Sequence, residues 1–239
     1  MLLFYIRHGD PIYRPDSLTP LGKRQAESVA HRLGAFGLDK IYSSSSSRAY
    51  ETALPTAELL RLEVEKREFC TENRAWSATA PLGADGRCCW LFQSPLWRSV
   101  LRSPEIVAMG KEWYLHEKFK DTPVQKELPP ILDDCDAFLA ELGYRHLPSE
   151  NRYIAEAPSD RRIALFAHQG FGMIFLSHIL DVPYPLFASH FDMGHSGVTV
   201  IEFAPDGAGI VSPTVLTLSN DSHLFRDGIP TNYQNRIRF

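Results

Sequence analysis

The 239-residue chain has no surplus of positive charge: 25 Lys and Arg stand against 29 Asp and Glu, for a net charge of −4. Bulk electrostatics therefore offers nothing to hold nucleic acid or an anionic membrane surface, and neither is expected as a partner. Cysteine is scarce. Cys70, Cys88, Cys89 and Cys135 include an adjacent pair but no C-x-x-C, which argues against a zinc ribbon or a disulfide framework and for reduced thiols in the cytoplasm. Long apolar runs are missing as well. Met-Leu-Leu-Phe-Tyr-Ile reaches Arg7 with no basic leader and too little length for a membrane span, so it reads as a buried strand.

The signatures of several large enzyme classes are also absent. There is no G-x-G-x-x-G, G-x-x-x-x-G-K-[ST], H-E-x-x-H or G-x-S-x-G, which removes the main support for a nicotinamide dehydrogenase, a P-loop nucleotidase, a zincin or a serine hydrolase. The nine histidines show no compact ligand pattern with Asp, Glu or Cys, so neither a metal site nor a cofactor is expected.

What is present is a globular composition, 44% hydrophobic and 23% charged, enough for a packed core and read as one domain over residues 1–239. Leu2 to Ile6 is a bare apolar run that stops at Arg7-His8-Gly9-Asp10-Pro11, the profile of an interior parallel strand ending in a polar loop. Thr19-Pro20 reads as a helix cap, followed by Leu21, Gln25, Val29, Leu33 and Phe36 at helical spacing up to Gly37. Asp39 to Ser43 predicts a second strand. Ser43 to Ser47 then leads into a helix with Arg48 in its first turn and Ala49, Ala53, Ala57 and Leu60 on one face.

Leu62 to Phe69 predicts a third strand, ending near Glu72. Residues 76–130 are weakly periodic, rich in Pro and Gly, and contain all four tryptophans (Trp76, Trp90, Trp97, Trp113). They read as an insertion or cap carrying one or two helices, with two tryptophans in a core and two at a pocket mouth. A helix follows around Leu132 to Leu142, with Asp133, Asp134 and Asp136 as its cap and first turn. Ile163 to Ala167 repeats the opening pattern, a bare apolar run ended by His168-Gln169-Gly170. Gly197 to Phe203 and Val211 to Leu218 predict further strands around a Pro-Asp-Gly turn at 205–207. His31, His116, His146 and His223 read as surface, His178 as a helix residue with a local partner, and His195 as a turn residue within reach of the pocket.

Strand and helix alternation predicts an α/β fold, a three-layer α/β/α sandwich on a mixed but mainly parallel sheet. In such sheets ligands collect beyond the carboxyl ends of the strands, so the loops at His8, Ser43 to Arg48, Glu72 and His168 are expected to face one crevice. Four blocks, each in a matching strand or helix context, resemble the histidine phosphatase superfamily, also called phosphoglycerate mutase-like. They are Arg-His-Gly at 7–9, L-T-x-x-G-x-x-Q-A at Leu18 to Ala26, S-S-x-x-x-R-A-x-x-T-A at Ser43 to Ala53, and H-x-G at 168–170.

The resemblance implies a small phosphorylated substrate and a phosphohistidine formed on His8. Arg7 and Arg48 would bind the phosphoryl group, Gly9 would allow close backbone approach, and His168 would steady the transition state. Glu72 best matches the family's general acid, with Glu68 and Asp10 as rivals. The loop continues Asp10-Pro11-Ile12-Tyr13 where mutases have Glu-Ser and then Trp-Asn, so a metal-independent phosphomonoesterase is expected. The alternatives are a phosphoglycerate-type mutase and a non-catalytic phospho-ligand or protein-binding module.

Overall fold

The computed structural model describes residues 1–82 and 86–231. Residues 83–85, inside the segment read as an insertion, and 232–239, at the end of the stretch read as one domain, lie outside the described residues. The elements run β1 (Leu2–Arg7), β2 (Pro11–Tyr13), β3 (Asp16–Leu18), α1 (Pro20–Phe36), β4 (Lys40–Ser44), α2 (Ser47–Leu60), β5 (Val64–Arg67), α3 (Glu72–Thr79), α4 (Pro95–Leu101), α5 (Pro104–Ala108) and α6 (Val124–Glu141). They continue with β6 (Tyr144–Leu147), β7 (Arg152–Ala155), β8 (Arg162–Ala167), α7 (Gln169–Ile179), α8 (Tyr184–His190), β9 (Val198–Glu202), β10 (Ile210–Val211), β11 (Thr214–Asn220) and α9 (Ser222–Arg226).

Six strands form the central sheet in the order β11-β9-β1-β8-β4-β5. β1, β8, β4 and β5 pair in parallel, and β9 and β11 join antiparallel at one edge. The sheet is thus mixed and mainly parallel, as expected. Its central strands alternate between two cores, because successive side chains leave opposite faces. From β1, Leu3 and Tyr5 enter a core with Phe138, Phe171 and Phe175 of α6 and α7, while Phe4 and Ile6 enter another with Val29, Leu33, Ala53 and Ala57 of α1 and α2. β8 divides likewise, Ile163 and Leu165 to the first core and Ala164 and Phe166 to the second.

Local chemistry explains the helix ends near the site. The Thr19 side chain accepts from Gly22 N, Pro20 opens α1, and Gly37 closes it at φ +73°, a left-handed conformation in which glycine avoids the Cβ penalty. The buried face of α1 is Gly22, Gln25, Ala26, Ser28, Val29, Ala30 and Leu33; Phe36, read onto that face, is 49% exposed at the helix end.

Several boundaries differ from the sequence reading. β4 takes in Ser44, one residue beyond the predicted strand, and the described part of the 76–130 segment holds, after the end of α3, two short helices, within the expected number, and two 3-10 turns before α6 begins. Ser-Pro pairs start both helices, and five to seven residues are too few to show a period. α6 begins at Val124, so Asp133, Asp134 and Asp136 lie mid-helix and not at a cap. Pro129 and Pro130 fall inside α6, and Val124, Leu128, Ile131, Cys135, Phe138 and Leu139 are all buried along the helix. At about 1.5–3 kcal/mol per large apolar side chain, that burial outweighs roughly 3 kcal/mol per interior proline. The Val211–Leu218 run is two strands: β10 joins β6 and β7 in a small antiparallel sheet, and β11 joins the main one. His146 and His223, read as surface, are buried at 8% and 2% exposure. Among the described residues no helix is long and apolar enough to cross a membrane.

Candidate active site

β1 delivers Arg7 and His8 to its carboxyl end, β4 leads through Ser46 into the first turn of α2 with Arg48, and β8 ends at His168, the residue capping α7. With Glu72 at the start of α3, these loops meet at one edge of the sheet. A cavity of about 840 Å³ is lined by Arg7, His8, Arg48, Glu72 and Gln169, with Trp76 and Trp90 on its wall. The convergence expected from the strand-end rule is therefore found.

His8 is buried, and its Nδ1 lies 2.7 Å from the Gly9 carbonyl oxygen. A carbonyl only accepts, so Nδ1 carries the proton and Nε2 keeps a free lone pair. Burial, then His168, Arg7 and Arg48, hold the His8 pKa well below the ordinary histidine value. The ring is thus neutral at physiological pH, as a nitrogen nucleophile must be. The His8 backbone is clamped as well, its N–H donating to Ala167 O and its C=O accepting from Ser196 N.

His168 faces His8 edge-on with ring centroids 5.2 Å apart, and its Nε2 is 2.9 Å from Ser44 Oγ. When Ser44 donates in that contact, the proton of neutral His168 sits on Nδ1, a donor that has no other partner among the described residues. The Tyr5 hydroxyl donates to the His168 carbonyl and accepts its N–H, fixing the corner between β8 and α7.

Arg7 donates to Met193 O and, at 2.9 Å, to His195 Nε2. An arginine cannot accept, so His195 is neutral with Nδ1 protonated toward Asp10 Oδ1, 3.6 Å away. Burial and Arg7 push its pKa down to about 3. The sequence left His195 between a turn and the pocket; its ring lies 5.5 Å from that of His8. Arg48 pairs with Asp16 at 2.7 Å and lies over the Tyr13 ring. Tyr13, Arg14 and Asp16 come from the β2-β3 hairpin and line the mouth, a contribution with no period-2 signal in three-residue strands.

Glu72 accepts from Gly170 N and Phe171 N, both at 3.0 Å, so its carboxylate sits on the first turn of α7. Each oxygen retains another lone pair. Burial raises its pKa above the ordinary carboxyl value, against the opposing pull of these two N–H groups and of Arg7 and Arg48. The rival carboxylates stand elsewhere. Glu68 is exposed, and Asp10 is engaged by Thr19 Oγ1 at 2.7 Å while its N–H donates to Gln25 Oε1. Gln25 thus ties α1 to the nucleophile loop.

Gly9 has a packing role of its own. Its N–H donates to Thr52 Oγ1 at 3.0 Å, and a Cβ there would lie 2.6 Å from the Gly22 carbonyl oxygen. Of the tryptophans, Trp76 and Trp90 line the mouth in an edge-to-face pair 4.8 Å apart, Trp113 is buried, and Trp97 packs against the core; Trp90 packs against that core as well, so the division is less clean than the two and two expected.

Comparison with known proteins agrees with the motifs. Residues 3–75 match the histidine phosphatase superfamily (branch 1). Phosphoserine phosphatase 1 of Hydrogenobacter thermophilus is 36% identical over 86 residues, which span 31% of this chain and only 41% of that protein. The fold is shared with mycobacterial glucosyl-3-phosphoglycerate phosphatase (TM-score 0.61, 22% identity, 91% of this chain and 98% of that one). It is shared also with phosphoserine phosphatase of Entamoeba histolytica (TM-score 0.59, 19% identity, 93% and 98%). The resemblance to the histidine phosphatase superfamily thus holds for the first third of the sequence, and the phosphoglycerate mutase-like fold for nearly all of the chain.

Proposed function

We propose that the protein is a metal-independent phosphomonoesterase that works through a phosphohistidine on His8. The observation that carries this reading is the His8 ring itself: neutral, with Nδ1 committed to the Gly9 carbonyl, and set among two arginines, a second histidine and a half-buried carboxyl group.

In the first step His8 Nε2 attacks phosphorus as the ester P–O bond breaks, and Glu72 gives its proton to the departing oxygen. In the second, Glu72 takes a proton from water, whose oxygen displaces His8 from phosphorus and releases inorganic phosphate. Arg7 and Arg48 offset the charge on the non-bridging oxygens, and His168 donates from Nδ1. The raised pKa of Glu72 suits a group that must hold a proton near neutral pH. Small phosphorylated metabolites fit a cavity of about 840 Å³ with an aromatic and arginine-bearing mouth, and the relatives named for phosphoserine and glucosyl-3-phosphoglycerate support that class.

The test is hydrolysis of para-nitrophenyl phosphate in excess EDTA by the wild-type chain and by His8→Ala. Turnover that survives the chelator and vanishes in the folded variant is expected. A His8→Ala variant as active as wild type would overturn the reading.

A further inference from the structure

A second cluster of chemically active side chains lies apart from the arginine-lined cavity. Asp136 of α6 places Oδ1 2.8 Å from Nδ1 of His146 on β6 and 2.8 Å from Nε2 of His178 on α7. The donor atoms of all three lie within 4.8 Å of one another. The two imidazoles cross at 81° with centroids 5.1 Å apart, so they turn nitrogens toward a shared point and do not stack. His146 is gripped from two other sides. Its Nε2 is 3.2 and 3.3 Å from the two oxygens of Asp181, and its ring lies flat on Tyr153 at 4.3 Å. Asp181 in turn accepts from Lys111 Nζ at 2.7 Å. Only Nδ1 of His146 is left to offer, and a carboxylate behind the remote nitrogen is the arrangement by which proteins orient an imidazole ligand.

We propose that Asp136, His146 and His178 form a site for a borderline divalent cation of the zinc or nickel class, bound through Oδ1, Nδ1 and Nε2 respectively. Burial opposes, but Asp136 and Asp181 raise the His146 pKa to about 9, so an ion binds by displacing the proton that Nδ1 shares with Asp136. Two imidazoles and one carboxylate then suit such ions better than the all-oxygen shells of magnesium or calcium. Bonds near 2.1 Å to one centre set neighbouring donors roughly 3 Å apart, so the observed 2.8 Å spacings need only a small expansion. Hydrogen bonds hold the same atoms together without an ion, so the site is preorganised. The trio opens through Asp136 and His178 onto a cavity of about 410 Å³ whose wall includes Ser177, Lys111 and Trp113, leaving room for water to complete the shell. That cavity shares no lining residue with the arginine-lined one. A cation here ties α6, β6 and α7 together and takes no part in the proposed phosphoryl chemistry.

The test uses the full chain after treatment with chelator, titrated calorimetrically with zinc chloride and, separately, with cobalt chloride while visible absorption is recorded. One saturable equivalent is expected, with a cobalt ligand-field band and a rise in melting temperature on zinc addition. Asp136→Asn and His178→Gln keep polar partners for the remaining groups and so preserve the fold; each is expected to weaken binding by roughly 10–100-fold or more while leaving ester hydrolysis unchanged. Absence of saturable binding by the folded wild-type chain would overturn the proposal. So would equal affinity in wild type and both variants, which would place the ion elsewhere.

Discussion

Replacing Glu72 by Gln separates a proton donor from a structural brace. The carboxylate accepts from Gly170 N and Phe171 N at 3.0 Å each, and the residue is half-buried. The amide oxygen of Gln can accept one of these N–H groups, but its NH₂ then meets the other, leaving two buried donors face to face. Losing one satisfied buried hydrogen bond costs about 1–3 kcal/mol, or roughly 2–12 °C in melting temperature for a chain of this size. The kinetic loss is distinct. A general acid contributes about 10²–10⁴-fold when the leaving oxygen is basic, and little when it departs readily as an anion. Glu72→Gln is therefore expected to lower kcat/KM, which reports the steps up to ester cleavage, by about 10²–10⁴-fold for an alkyl phosphate and by less than about tenfold for para-nitrophenyl phosphate. The value of kcat falls for both, because the same group takes a proton from water in the shared second step. Steady-state kcat/KM for both esters at one pH, beside a urea titration, measures the two effects independently. An equal loss of kcat/KM for both esters would refute the argument: Glu72 would then act only by bracing α7, and proton delivery would have to come from another group.

Gly9→Ala forces a Cβ to within 2.6 Å of the Gly22 carbonyl oxygen and 3.1 Å of its Cα; backbone cannot swing aside, so a loss of roughly 1–3 kcal/mol is expected in urea unfolding, and an unchanged midpoint would contradict that packing. Gly170→Ala meets the Trp90 ring instead, at 2.3 Å. Because that ring lines the cavity mouth, KM should rise severalfold with the melting temperature nearly constant, and an unaltered KM would remove Trp90 from substrate contact. Acid should destabilise the fold steeply. The folded-state pKa of His195 is about 3 and that of His223 about 4, both lowered mainly by burial, so the native chain binds fewer protons than the unfolded chain below the ordinary value near 6.5. Their stabilisation is complete above pH 6.5 and declines as pH falls toward those values, by about 2 kcal/mol each at pH 5. Urea midpoints equal at pH 7.5 and pH 5 would show that the buried rings are not held neutral.

His8, the proposed nucleophile, Arg7, Arg48 and His168 were legible in the sequence because each ends or follows a local pattern, a bare apolar strand or a helix start, whose edge the parallel sheet makes common. The same local logic gave the cap at Thr19 and the stop at Gly37. Residues whose place depends on distant partners were not legible. Ser44 meets His168 across 124 residues and Arg7 meets His195 across 188, and nothing in a serine run or a Gly-His-Ser turn reports such a contact. Asp136, His146 and His178 sit on two helices and a strand whose packing is set by the apolar residues of one core, so their spacing along the chain carried no ligand pattern. The sequence by itself determined which side chains end the central strands, since apolar periodicity and capping chemistry act over a few residues. Only the tertiary structure decided which nitrogens face one another, how Glu72 is braced on α7, and why Gly9 must lack a side chain, because each depends on backbone brought close by burial of surface far away in the chain.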